Sequence, residues 1–246
     1  MHEAQMHEDN CFVTLTYKDE EIPRGQQLYP RHHQLFMKKL RKAHGKGIRF
    51  YHCGEYGERT LRPHYHSCLF NYRPDDLVVL RKTAQGHVLY TSKSLEKIWG
   101  LGHVTIGELT FESAAYTARY VMKKRFGDDQ EAYYSWFDRD GVIHPGVPEY
   151  TTMSRNPGLG TKWLDKYSSD VYGPQPGVII NGKNVQQPKF YDTRTLNEKE
   201  QTKQRIENKK NARRHAWNNT PERKRVREKI HLEKMRLFTR DIEEFE

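Results

Sequence analysis

Two histidines one residue apart, His64 and His66, stand in the apolar stretch "RPHYHSCLFN", and Glu55 precedes them in "KGIRFYHCGEYG". Side chains on a strand alternate faces, so the two imidazoles project the same way, roughly 6.5–7 Å apart along the chain. Neutral imidazoles at that separation can converge on one cation. The short connection "GERTLR" would fold the two stretches into a hairpin and set Glu55 across from the histidines. Two nitrogens and one carboxylate oxygen, with water elsewhere, suit a divalent metal that must also accept phosphate oxygens. Mg²⁺ or Mn²⁺ fits, and Zn²⁺ stays open with this set. The adjacent pair His32-His33 falls on a helical pattern and does not compete, and His52 and His87 read as surface or structural residues.

Further along, "AAYTARYVMKK" places Tyr116 and Tyr120 four residues apart on a helical pattern, so both point from one face. Lys123 and Lys124 continue along or near that face. A tyrosine hydroxyl, with a pKa near ~10, is a poor nucleophile until a cation or a metal-polarised phosphate assists it. Its product is a covalent phosphotyrosine, which conserves the energy of a broken phosphodiester for later rejoining. Each signal is ordinary alone: one His-x-His among 13 histidines, and two aromatics on the buried face of a helix. Together in a basic chain they describe a metal-dependent tyrosine nuclease.

The elements that must position these groups follow an α+β order. Residues 11–17, "CFVTLTY", read as a strand, and 31–44 as an amphipathic helix stopped by Gly45. The two stretches around Glu55 and His64 are the second and third strands. Residues 74–90 are ambiguous, with "GHVLYTS" a short strand before the helix "SKSLEKIWG", which Gly100 and Gly102 close. "GHVTIGEL" is another strand. "TFESAAYTARYVMKKRFG" is the clearest helix, with Thr110 or Ser113 as cap and Gly127 as stop. Past it the signals loosen to a strand at "PEYTTMSR", a helix at "TKWLDKYSS" and a hairpin turning at Asn181-Gly182. This order suits an antiparallel sheet with helices packed on it.

The whole chain of 246 residues is long enough for one domain and an appendage, is 35% hydrophobic and carries +10. A basic, aromatic-rich chain points to a polyanion partner, most often nucleic acid. From residue 194 on, 16 Lys and Arg stand against 10 Asp and Glu, which reads as a long, solvated basic helix. Its expected work is attraction to the DNA backbone. No apolar run is long enough to span a membrane, and the N-terminal residues lack the pattern of a signal peptide. Three cysteines without a CxxC pair fit a reducing cytoplasm.

The order "FVTLTY", "RPHYHSCLF", "YTARYVMKK" matches the three motifs of HUH endonucleases. More narrowly, the chain resembles the replication initiators of microviruses, small circular single-stranded DNA phages, especially the gokushovirus type. "CGEYGERTLRPHYH", "TFESAAYTARYVMKK" and "MSRNPGLG" look like that family's phrases. The resemblance covers residues 1–192, which it makes a nicking and joining domain, and leaves 193–246 as a basic, mainly helical tail. It implies an HUH endonuclease fold with a central antiparallel sheet flanked by helices. His64 and His66 would hold a divalent metal, with Glu55 as third ligand and the tyrosine helix beside it. It further implies nicking of the origin of the double-stranded replicative form, leaving a 5′-phosphotyrosine and a free 3′-OH for host polymerase. Tyr116 and Tyr120 would alternate, one holding the 5′ end while the other attacks the regenerated origin, and the released strand is closed into a circle. Lys124, or else Lys123, would stabilise charge at the scissile phosphate. The partners implied are single-stranded origin DNA, replicative-form DNA, and host helicase and polymerase in the bacterial cytoplasm. Family members carry a segment with a CxxC-like pair ahead of "MHEAQ", so a truncated or internally initiated form is expected. A plasmid relaxase or transposase with the same motifs, and a non-catalytic DNA-binding module, are the competing readings.

Overall fold

The computed structural model describes residues 1–57, 60–83, 86–119, 128–174 and 176–236. They fall into two compact units, one of residues Met1–Gly160 and one from Thr161 on.

The first unit is built on a seven-stranded sheet. Its strands are β1 (Asn10–Thr16), β2 (Arg49–Tyr56), β3 (Pro63–Phe70), β4 (Leu77–Lys82), β5 (Val88–Ser92), β6 (Val104–Gly107) and, past a two-stranded hairpin of β7 (Trp136–Phe137) and β8 (Ile143–His144), β9 (Tyr150–Met153). They pair in the order β4-β5-β6-β1-β3-β2-β9, and every pairing is antiparallel. This is the α+β class expected. Because β1 and β3 lie in the middle and are covered on both faces, their residues read as nearly continuous apolar runs rather than alternating ones.

One face carries the main core. Val13 and Leu15 of β1 and Tyr65 and Leu69 of β3 pack on Phe36, Met37 and Leu40 of α1 (Pro30–His44), with Leu95 and Trp99 of α2 (Lys93–Trp99). Each such apolar side chain contributes about 1.5–3 kcal/mol by leaving water. Pro30 opens α1 at a position where its missing N–H costs nothing. Gly100, at φ 73°, ends α2 in the left-handed conformation that glycine adopts without strain.

The opposite face of β3 and β2 is covered by α3 (Phe111–Arg119). Its start is fixed by a reciprocal cap: Ser113 N–H donates to Thr110 Oγ1 at 3.2 Å, and Thr110 N–H donates to Ser113 Oγ at 2.9 Å. Both cap candidates named from the sequence thus act together. The C-terminal half of the expected helix, with Tyr120, Lys123, Lys124 and the Gly127 stop, lies outside the described residues.

Several elements went unannounced in the sequence. Strand β4 falls in the stretch left ambiguous, because "LVVLRK" lies at the sheet edge, partly or fully exposed, without a periodic burial pattern. The short helix α4 (Gln130–Tyr134) and the β7–β8 hairpin after it are too brief to show a period.

The second unit has a small core of Leu164, Val171, Val178 and Tyr191. These come from α5 (Thr161–Val171), the hairpin of β10 (Val178–Ile180) and β11 (Lys183–Val185), and α6 (Lys189–Thr195). The hairpin turns where expected, with Asn181 and Gly182 both at positive φ. The basic stretch forms two helices rather than one, α7 (Glu198–Arg214) and α8 (Pro221–Arg236). Pro221 cannot continue the hydrogen-bonded ladder of a preceding helix, so the chain restarts there. No helix among the described residues is long and apolar enough to cross a membrane.

Candidate metal centre

The β2–β3 hairpin sets Glu55 directly opposite His64, and Cys53 opposite His66. Glu55, His64 and His66 therefore share the sheet face that α3 covers. Their ligand atoms all lie within 4.8 Å of one another, and the group could hold a metal ion. Glu55 Oε1 lies 2.9 Å from His64 Nε2 and 2.5 Å from His66 Nε2. Glu55 and His66 are almost wholly buried, and the His64 side chain is mostly so. The placement of Glu55 inferred from hairpin geometry holds.

Hydrogen bonds on the far side of each ring decide which nitrogen faces the centre. His64 Nδ1 lies 3.1 Å from the carbonyl oxygen of Arg62, which can only accept, so Nδ1 carries a proton. In a neutral imidazole that leaves His64 Nε2 a bare lone pair aimed at a carboxylate oxygen. Two lone pairs at that distance repel unless the ring is protonated or a cation sits between them. His66 Nδ1 lies 2.9 Å from Thr14 Oγ1, which can take the ring proton in the same way. Such outer partners orient histidine ligands and fix their tautomers. Glu55 Oε2 is buried and has no hydrogen-bond partner among the described residues, so a second carboxylate oxygen is also available. The donor set and the orphaned oxygen both fit a divalent cation.

The electrostatics agree. Burial pushes the Glu55 carboxyl up, but the neighbouring His66 and His64 imidazoles outweigh burial and hold it below the ordinary carboxylate range. Burial pushes the Cys68 thiol on the same face up to about 11, so it is not a thiolate at neutral pH.

Tyr116 is the described nucleophile candidate. It is buried on α3, and its ring meets the His66 ring edge-on, with centroids 5.1 Å apart. Phe12 of β1 stacks on His66 at 5.4 Å and touches Tyr116 edge-on at 6.5 Å. The cluster thus brings together Glu55, His64, His66 and Tyr116 from three elements. Sequence reading missed Thr14 and Phe12, although the alternation of "FVTLT" puts both on one strand face. The Arg62 carbonyl leaves no sequence signal, because any residue supplies one. His52, read as surface or structural, is buried on the other sheet face, stacked on His33.

An antiparallel sheet whose middle strand presents a His-x-His pair to a carboxylate, with a tyrosine-bearing helix on that face, is consistent with the HUH endonuclease fold. Residues 10–125 match the family model of the replication-associated protein ORF2 type. Over that segment the chain belongs to this family, and the resemblance to microvirus replication proteins holds. The chain is 34% identical over 199 residues to Replication-associated protein VP4 of Bdellovibrio phage phiMH2K, covering 77% of this chain and 59% of the relative. It is 36% identical over 196 residues to Replication-associated protein ORF2 of Spiroplasma virus 4, covering 75% and 57%. It is 34% identical over 198 residues to Replication-associated protein ORF4 of Chlamydia phage 1, covering 77% and 46%. The chain thus spans about half the length of the curated relatives it matches. No solved structure matches it significantly.

Proposed function

We propose that this chain is a replication initiator that nicks one strand of circular phage DNA at its origin and later rejoins the displaced strand. The observation that carries the reading is the buried Glu55–His64–His66 cluster with Tyr116 packed against His66. Glu55 Oε1, His64 Nε2 and His66 Nε2 would hold Mg²⁺ or Mn²⁺, while the Arg62 carbonyl and Thr14 keep the ring protons on the far side. When bound, such an ion polarises the scissile phosphate as a Lewis acid. A tyrosine Oη attacks the phosphorus, a P–O bond to the tyrosine forms, and the bond to the 3′ oxygen breaks. The phenolic proton leaves, and the departing oxygen is protonated to the free 3′-OH that primes synthesis. Reversal by a 3′-OH restores the phosphodiester and frees the tyrosine, which closes the circle without an energy source.

Tyr116 and Tyr120 are assigned as alternating nucleophiles, with Lys124, or else Lys123, stabilising charge at the phosphate. These assignments rest on the sequence motif. The family match and the phage relatives support an initiator over a plasmid relaxase or transposase.

The test is a cleavage assay on single-stranded origin oligonucleotides with Mn²⁺, with mass mapping of the covalent adduct. Tyr116→Phe and Tyr120→Phe should each leave partial cleavage, and the double variant should form no adduct. Adducts that persist in the double variant would sink the nucleophile assignment. His64→Ala should lose metal-dependent cleavage yet keep most DNA binding, since phosphate contacts carry affinity. Binding without cleavage by the unaltered chain would instead favour a non-catalytic DNA-binding protein.

A further inference from the structure

The second unit holds one aromatic side chain in water where packing gives no reason for it. Trp217 is 75% exposed, in the tight turn Ala216–Asn218 between α7 and α8. That turn is anchored. Arg223 donates from Nε to Asn218 Oδ1 at 3.0 Å. Arg227 donates to the Asn218 carbonyl oxygen and, at 2.9 Å, to Asn219 Oδ1. The N–H groups of Asn218 and Asn219 donate to the carbonyls of His215 and Ala216. The corner therefore presents the indole on a preorganised backbone.

Charge around it is one-sided. Between residues 213 and 227, Arg213, Arg214, Arg223, Lys224, Arg225 and Arg227 stand against one carboxylate, Glu222, and all of them are exposed. Helix α7 buries none of its residues, so this corner is not the edge of an apolar seam. An exposed aromatic among guanidiniums combines the two elements of single-strand recognition: a platform for a base and a cationic track for phosphates.

We propose that this corner is a second DNA site, taking single-stranded DNA without regard to sequence. A base stacks on Trp217, and Arg214 and Lys224 hold flanking phosphates. Every base has a π-face, so stacking carries no sequence preference, whereas a duplex keeps its faces occupied by their neighbours. The proposal rests on the reading of the chain as a DNA-processing protein, and not on the chemistry at His64 and His66.

The test uses the full chain, without divalent metal, and a fluorescent oligo(dT) that contains no origin, followed by anisotropy. Trp217→Ala should weaken binding about tenfold, equivalent to about 1.4 kcal/mol, and Trp217→Phe should retain most of the affinity. Blunt duplex of the same length should bind both variants as it binds the unaltered chain. Arg214→Gln and Lys224→Gln should each reduce the slope of log affinity against log salt by about 0.7. Unchanged affinity of Trp217→Ala for oligo(dT), or an equal loss on duplex, overturns the proposal. So does a loss of self-association in Trp217→Ala with DNA affinity unchanged, which makes the indole a contact between copies. Trp217-dependent oligo(dT) binding by a chain that cuts no origin strand leaves this site standing and removes the nuclease reading alone.

Discussion

The three ligand candidates hold their geometry because other groups occupy the far side of each imidazole. For His64 that partner is a backbone carbonyl, and for His66 it is the Thr14 hydroxyl. Thr14→Val keeps the β-branched shape in a buried strand but removes the acceptor for His66 Nδ1. Loss of such an outer partner typically weakens metal affinity about 10–100-fold. Calorimetric titration with Mn²⁺ should therefore show weaker binding by that order, with stability falling by about 1 kcal/mol from the lost hydrogen bond. Unaltered Mn²⁺ affinity would mean that packing against Phe12 alone orients the ring. At this scale the sequence was most informative where chemistry is rare. A His-x-His pair stands out in any strand, and Glu55 followed from the length of the connection. Thr14 was hidden because a threonine in a strand is ordinary, and its role exists only through the pairing of β1 with β3.

At the scale of elements, the β2–β3 hairpin was legible because strand periodicity and a short connection leave little freedom of register. A slip by one residue would turn Glu55 to the other face. What periodicity could not show is how α1 sits on the sheet. His33 of α1 and His52 of β2 stack face to face, with centroids 3.4 Å apart, and His33 Nε2 bonds Ser67 Oγ of β3 at 2.9 Å. Around them stand Phe36, Phe50, Tyr65 and Tyr150, all neutral, with the Arg41 guanidinium as the nearby charge. Burial lowers the His52 pKa to about 3, and burial, His52 and Arg41 lower that of His33 well below its usual value. Both rings are thus neutral when folded and take up protons when unfolded, once pH falls below about 6.5. The unfolded state then binds more protons, so stability falls with falling pH through the window from about 6.5 to about 3. The slope is at most about 1.4 kcal/mol per pH unit for each ring. Urea unfolding of His52→Leu should show a shallower loss between about pH 7 and pH 5 than the unaltered chain. Parallel pH profiles would show that this stack is not what makes the fold acid-sensitive.

For the whole molecule, composition and packing divide the chain at different places. The charge shift marks residue 193 or so, whereas the compact units part after Gly160. Four apolar residues, Leu164, Val171, Val178 and Tyr191, form the second core, too few and too widely spaced to stand out in a polar stretch. The first unit contains the metal ligands, the Thr14 and Arg62 partners, Tyr116 and the whole main core. Its own start and end are tied together: Glu3, almost fully buried, pairs with Arg49 at 2.6 Å and accepts from the Gly160 N–H at 2.6 Å. A fragment of residues 1–160 ends where that clamp ends and leaves no core residue behind. It should unfold in one cooperative transition and bind Mn²⁺ as the full chain does. Its affinity for long single strands should be lower and less salt-dependent, because the basic helices α7 and α8 are absent and fewer counterions are released on binding. Calorimetry and anisotropy at several salt concentrations would measure both. A fragment that unfolds without a cooperative transition would show that the second unit completes the fold of the first. A fragment with the full chain's salt dependence would move the DNA-backbone contacts from the basic helices to the sheet.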